Sequence, residues 1–247
     1  MCGLFGAVVV EPTLQDFYNL RSLFLKLESR GHHASGVAWV KDRMVHIHHE
    51  GIPAHEFVKG GTFSIQFMLD MVNEDRNLYI LGHTRWTTSS PTDHQPLGDE
   101  EFALVHNGIV TGEPAEKWES LYGIKTDGGN DSELIWQTRV HSMVHPVHRF
   151  STSSIAVCEL YANKTLIAYR NHARPLAMYN DGRVTVFAST EEALKESGYD
   201  DEYNWGMVES YRDYICTVDK EKNVTKLHTK KYQRFFPDMT VAALGDK

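Results

Sequence analysis

The stretch Met1-Cys2-Gly3-Leu4-Phe5-Gly6-Ala7-Val8-Val9-Val10 decides how the rest of the chain is read. From Cys2 to Val10 it is mostly apolar with little alternation, the pattern of a strand covered on both faces. The residue that heads this strand is a cysteine directly behind the initiator methionine, and a residue that small permits removal of Met1. Cys2 then carries a thiol and a free α-amine on one residue. Their ordinary pKa values, ~8.5 and ~7.7–8.0, both lie near neutrality. The amine can therefore act as base for its own thiol, directly or through one water. No side chain further along has this arrangement. The plain alternative is a small residue heading a buried strand.

Working outward, Thr13-Leu14-Gln15-Asp16 has the form of a capping box with Asp in place of Glu or Gln. Leu14, Phe17, Leu20, Phe24 and Leu27 follow at helical spacing until Gly31. Gly36 to Val40 and Met44 to His48 read as a hairpin around Lys41-Asp42-Arg43. A weaker helix lies between His55 and Val72, interrupted at Gly60-Gly61. Leu78 to Leu81 and Glu101 to His106 are strands that end in polar, glycine-containing segments. Asn130-Asp131-Ser132-Glu133 reads as a helix start, with Asn130 as cap, Glu133 reaching back to it and Pro146 as the stop. Strands then follow at 154–161, 165–169, 175–179 and 183–188, the last two joined at Asn180-Asp181-Gly182. A short helix at 191–196 and a ribbon of 214–218 with 224–228 complete the pattern. Helices early and in the middle, with hairpins throughout, indicate an α+β protein with antiparallel sheets. No repeat or linker divides residues 2–247, which read as a single domain.

Composition narrows the class. The 247 residues are 41% hydrophobic and 23% charged, as in ordinary globular proteins. A net charge of −8 argues against a nucleic-acid partner, which calls for clustered Lys and Arg. No apolar run approaches the ~20 residues of a membrane span, and no signal peptide is evident. Three cysteines, Cys2, Cys158 and Cys216, fit neither a disulfide framework nor a zinc pattern. The chain reads as cytoplasmic, with neither cofactor nor metal. His141, His145 and His148 have spacing that could suggest a metal site, but Pro146 breaks their shared face. His46, His48 and His49 alternate on a strand and read as a solvated face.

Four polar segments sit where a strand or helix ends, the places from which a scaffold presents functional groups. They are Arg30-Gly31-His32-His33-Ala34-Ser35-Gly36, Gly82-His83-Thr84-Arg85-Trp86-Thr87-Thr88, His106-Asn107-Gly108 and Asn130-Asp131-Ser132-Glu133. Together with Cys2-Gly3-Leu4-Phe5-Gly6, and in this order, they resemble the class II glutamine amidotransferase domains of the N-terminal nucleophile hydrolases. The resemblance is nearest to the glutaminase domain of glucosamine-6-phosphate synthase and spans residues 2 to about 135. It implies a four-layer αββα sandwich of two antiparallel sheets, and hydrolysis of the glutamine side-chain amide to glutamate and ammonia through a Cys2 thioester.

Residue by residue, the resemblance makes Cys2 the nucleophile and Arg30 the group that orients it. Asn107 (side-chain amide) and Gly108 (backbone N–H) become donors to the oxyanion, each worth ~2.7–4 kcal/mol of barrier stabilisation. Glutamine's amino-acid end is a zwitterion, so its site needs one fixed charge of each sign. Arg85 suits the α-carboxylate, which guanidinium can grip bidentately, and Asp131 at a helix start suits the α-ammonium. Trp86 belongs to the loop that covers the substrate. Singly, each has an ordinary reading: Arg85 as a surface ion-pair partner, Asp131 as a helix cap, Asn107-Gly108 as a turn, Trp86 as a core residue.

The chain also departs from the family pattern. Members commonly read Arg-Gly-Tyr-Asp-Ser-Ala-Gly where this chain has Arg30-Gly31-His32-His33-Ala34-Ser35-Gly36, so His33 replaces an acidic residue. Synthase relatives usually have Ala-Thr-His-Gly where this chain has Thr87-Thr88-Ser89-Ser90. They also continue into a domain that uses the ammonia. The expectation is therefore a separate synthetase or aminating partner in trans, with an amidohydrolase acting on another γ-glutamyl compound as the alternative.

Overall fold

The computed structural model describes residues 1–87, 94–142 and 144–232. Its centre is the strand read first, β1 (Gly3–Val10), every residue of which is buried. β1 lies between β10 (Val184–Ala188) and β4 (Asn77–Arg85), antiparallel to both. The sheet continues on one side to β9 (Ala177–Asn180) and β11 (Trp205–Met207), and on the other to β2 (Ala34–Lys41) and β3 (Met44–Glu50). The second sheet has the order β13 (Val224–Lys231), β12 (Arg212–Asp219), β8 (Thr165–Arg170), β7 (Ser154–Tyr161), β6 (Phe102–Ile109) and β5 (Leu97–Gly98). All pairings in both sheets are antiparallel.

Strand alternation sorts the side chains into layers. On β1, Leu4 and Val8 join Tyr79, Leu81, Ala103, Val105, Ala156, Cys158 and Ala168 between the two sheets. Phe5, Ala7 and Val9 face outward, under α1 (Leu14–Leu27), α2 (Ala54–Lys59), α3 (Ile65–Asp70) and α7 (Glu191–Lys195). On the far side Phe102, Leu104, Ile155 and Val157 pack under α4 (Trp118–Tyr122), α5 (Ser132–His141) and α6 (Pro146–Arg149). The result is the helix–sheet–sheet–helix sandwich, an α+β fold.

Local chemistry accounts for most boundaries. Thr13 and Asp16 form a reciprocal capping box, and Arg183 grips the Asp16 carboxylate with two bonds of 2.8 Å. Asp42 and Arg43, both at positive φ, turn β2 into β3. The expected 55–72 helix is two short ones, parted by a turn in which Gly61 has φ +91°. α5 starts at Ser132 with Asp131, not Asn130, at its cap position. Glu133 accepts from the backbone N–H groups of Asp127 and Gly128. α5 ends at His141, ahead of Pro146, which instead opens α6 under a cap from the His145 ring. β5, β11 and α4 were not anticipated; at two to five residues each they are too short to show a period. His46 stacks on Trp39 at 5.3 Å and His48 packs on Phe57 at 5.5 Å, so the β3 imidazoles cover apolar rings as well as facing solvent.

Candidate functional site

The alternation that builds the inter-sheet core also carries polar groups to one end of it. After Tyr79 and Leu81 the next inward residues of β4 are His83 and Arg85. After Ala103 and Val105 the next on β6 is Asn107. Before Leu4 the next position of the same alternation is Cys2, just ahead of β1. Gly3 pairs with Thr84, which places Cys2 beside the end of β4.

Cys2 is half-buried and unbonded to any other cysteine. Its Sγ lies 3.8 Å from the Trp86 carbonyl, and its own carbonyl accepts a 3.0 Å bond from Arg30 Nε. Burial pushes the thiol up from its ordinary range, with the Asp131 carboxylate adding to the rise; the N-terminal ammonium and Arg85 oppose it. A thiol held protonated needs a base to become a nucleophile. The same forces show that Arg85 and Asp131, 46 positions apart in the chain, both lie close enough for their charges to act on Cys2.

Arg85 is buried at the end of β4. Asp131 is half-buried, and its side chain makes no helix-capping hydrogen bond. Its carboxylate instead accepts a 2.5 Å bond from the Val110 N–H. Asp131 is thus tied to the end of β6. Asn107 is buried at 1% exposure, and its Nδ2 has no hydrogen-bond partner among the described residues. An unpartnered buried amide costs about 1–3 kcal/mol, a cost that a bound acceptor removes. Gly108 follows at φ +153°, and a Cβ there would sit 1.7 Å from the Ser154 carbonyl oxygen. Only glycine fits that turn of the chain.

Gly31 has a different reason to be glycine. A Cβ on it would lie 2.3 Å from the Arg85 carbonyl carbon and 2.4 Å from the Trp86 nitrogen. The Arg30-Gly31 loop is pressed against the Arg85–Trp86 peptide. Trp86 is 42% exposed, so it is no core residue; its ring packs on His32 and His33, each 5.2 Å away. Thr88, Ser89 and Ser90 lie outside the described residues.

Beneath the site are groups that sequence reasoning missed. Gln95 is buried; its Oε1 accepts from the His106 N–H at 2.6 Å and its Nε2 donates to Ser132 Oγ at 3.0 Å. His106 Nδ1 lies 2.9 Å from the same hydroxyl, and burial pushes this imidazole below its ordinary range. His83 is buried too; desolvation first, then the Arg85 charge, hold its pKa at about 3, so the ring is neutral. Arg174 reaches the end of the chain, its Nη1 3.4 Å from Met1 Sδ. No spacing signal marks Gln95 or Arg174. Ser132 and His106 stood inside the motifs without an assigned role. His141 ends α5, while His145 stacks 3.8 Å from the Tyr232 ring and His148 lies 6.1 Å from Tyr211.

Residues 83–196 match the glutamine amidotransferase domain family. The glutamine–fructose-6-phosphate aminotransferase (isomerizing) of Bacillus subtilis is 24% identical over 232 residues, covering 90% of this chain and 35% of that protein. Its Staphylococcus aureus counterpart is 25% identical over 253 residues, covering 92% and 38%. The chain therefore spans little more than a third of these curated relatives. Among solved structures, the glutamine phosphoribosylpyrophosphate amidotransferase of B. subtilis superposes with a TM-score of 0.68 at 19% identity, over 94% of this chain and 50% of that one. A structure described as the allosteric regulatory enzyme of purine biosynthesis gives 0.67 at 19% identity, over 94% and 49%. These two likenesses establish the sandwich fold, and the stretch that matches the glutamine amidotransferase domain family, residues 83–196, covers its second helix layer and most of the strands around it.

Proposed function

We propose that the chain, with Met1 removed, hydrolyses the side-chain amide of glutamine through Cys2. The observation that carries this reading is that the charges of one cation, Arg85, and one anion, Asp131, both act on the Cys2 thiol. A fixed pair of opposite charges beside a nucleophile suits an amino-acid zwitterion whose side chain reaches the sulfur. The freed α-amine takes the thiol proton, the thiolate attacks the amide carbon, and the Asn107 Nδ2 and Gly108 N–H face the oxyanion. The amine returns the proton to the departing nitrogen, which leaves as ammonia. Water then cleaves the γ-glutamyl thioester to glutamate. Arg30, bonded to the Cys2 carbonyl, keeps the terminal residue in place, and Trp86 covers the entrance.

The ammonia is proposed to pass to an aminating synthetase in a separate chain. The support comes from the relatives, whose names describe amino transfer to fructose-6-phosphate in proteins far longer than the matched region. Cross-linking and co-purification from the native source test this step. A partner without amination chemistry counts against it.

The central test is covalent labelling. An electrophilic diazo-ketone analogue of glutamine is expected to add one equivalent at Cys2 in the Met1-processed protein, and Cys2→Ala to abolish both labelling and glutamine turnover. Full glutaminase activity in Cys2→Ala rules the mechanism out. Turnover of a γ-glutamyl dipeptide far above that of glutamine moves the assignment to an amidohydrolase of the same fold.

A further inference from the structure

We infer that His33 is a positioning residue that holds the segment Arg85–Thr87 over Cys2 and so sets the affinity for glutamine. The inference rests on the reading of Arg85 as the carboxylate anchor. Its basis is a two-point clamp. The His33 backbone N–H donates to the Arg85 carbonyl at 2.9 Å, and the Thr87 N–H donates to His33 Nδ1 at 2.9 Å. One residue thereby fixes the backbone on both sides of Trp86. Between those two bonds the Trp86 carbonyl faces Cys2 Sγ at 3.8 Å. The His33 ring also packs on the indole at 5.2 Å, and Gly31 lies flat against the same peptide.

The second bond dictates the side-chain chemistry. A backbone N–H can donate only to an atom with a free lone pair, so Nδ1 is the acceptor and the ring proton resides on Nε2. An acceptor two bonds beyond Cβ is what the position requires. Asn offers one in the same place through Oδ1. Gln carries its oxygen one bond further out, and Ala offers none. The acidic residue usual at this point of the family motif has an acceptor at the same reach as Nδ1, so the exchange to histidine keeps the acceptor while adding a ring for Trp86 to pack on.

The test compares His33→Ala, His33→Asn and His33→Gln in the full-length, Met1-processed protein. Loss of one hydrogen bond that orders a substrate-binding segment corresponds to about a tenfold effect. His33→Ala is expected to raise the KM for glutamine about tenfold, with a smaller change in kcat. The thermal midpoint is expected to hold. His33→Asn should restore KM to within about twofold and His33→Gln should not. Exchange of the Thr87 amide hydrogen should speed up about tenfold in Ala and Gln and stay slow in Asn. The inference is overturned if Thr87 exchange is unchanged in His33→Ala, if Gln restores KM as fully as Asn, or if Asn fails wherever Ala fails. Wild-type protein that protects Thr87 yet turns over no glutamine overturns the proposed function and leaves the clamp intact.

Discussion

The two helix layers of the sandwich are held in opposite ways. Under α1 the contact is apolar: Phe24 packs against Phe5, Phe57 and Phe63 with ring centroids 5.0–6.2 Å apart. Under α5 the apolar cluster is threaded by polar groups. Glu159, with no exposed surface, accepts from Arg139 Nη2 at 2.8 Å, Tyr161 Oη at 2.8 Å and Tyr169 Oη at 2.7 Å. Gln95, Ser132 and His106 add a second buried network. Apolar packing is non-directional and resists water, so it suits the layer that only has to back β1. Hydrogen bonds are directional and fix one rotation of a helix. The layer that carries Asp131 is the one that has them.

The comparison breaks most visibly by substitution in each layer. Phe24→Ala removes a fully buried ring and is expected to cost about 3–5 kcal/mol. Arg139→Met strands the Glu159 carboxylate and is expected to cost a similar 3–5 kcal/mol, for a different reason. The two losses separate on repair. Combining Arg139→Met with Glu159→Leu removes both charges and should recover part of the stability, because paired buried charges contribute little net while the Tyr161 and Tyr169 hydroxyls lose their acceptor. No second substitution in the α1 layer refills a cavity in that way. Urea unfolding of the four proteins measures it. A double variant no more stable than Arg139→Met would show that the ion pair is not what holds α5.

A pH series sharpens the contrast at a smaller scale. His106, under α5, and Asp16, at the start of α1, both have pKa values below their ordinary ones. For His106 burial is the main cause; for Asp16 the bonds from Arg183 and Thr13 outweigh burial. The sign follows in each case. A depressed histidine is neutral when folded, so its contribution is complete above the unfolded pKa near 6.5 and declines as pH falls below it. A depressed aspartate contributes fully above about 3.8 and declines only below that. The α5 layer should therefore lose stability as pH falls below about 6.5, while Asp16 leaves the α1 layer unaffected until near pH ~4. Hydrogen exchange at backbone amides of α5 and α1, followed from pH 7 to 5, reads the two separately. Equal loss in both layers would contradict the assignment.

The same contrast explains what the sequence made legible. α1 was readable because a capping pair and an apolar stripe at helical spacing act locally. β1 was readable because nothing polar interrupts it. The motif segments were readable as candidates because each sits where a period stops. Register between sheets was not, and so neither was the bond by which Asp131 ties the start of α5 to Val110. Gln95 and Arg174 act across long sequence separations through single polar contacts, which leave no periodic trace. His33 stood out as a departure, but its partner is a backbone N–H 54 residues away, invisible before folding.

The weakest expected effect on stability compares the same position in the two main helices. Thr13 caps α1: its hydroxyl accepts from the Asp16 N–H at 3.3 Å, and the Asp16 carboxylate accepts from the Thr13 N–H at 2.7 Å. Asp131 occupies the cap position of α5 but forms no cap bond, its carboxylate being directed to Val110 and toward Cys2. Thr13→Ala should then cost about 1 kcal/mol and leave glutamine KM unchanged. Asp131→Asn should do the reverse. The amide oxygen can still accept from Val110, so stability should move by less than about 0.5 kcal/mol, while loss of the charge facing the substrate ammonium should raise KM at least about tenfold. If Asp131→Asn destabilised the protein as much as Thr13→Ala and left KM alone, Asp131 would be a helix cap after all, and the anion of the proposed zwitterion site would have to be sought elsewhere.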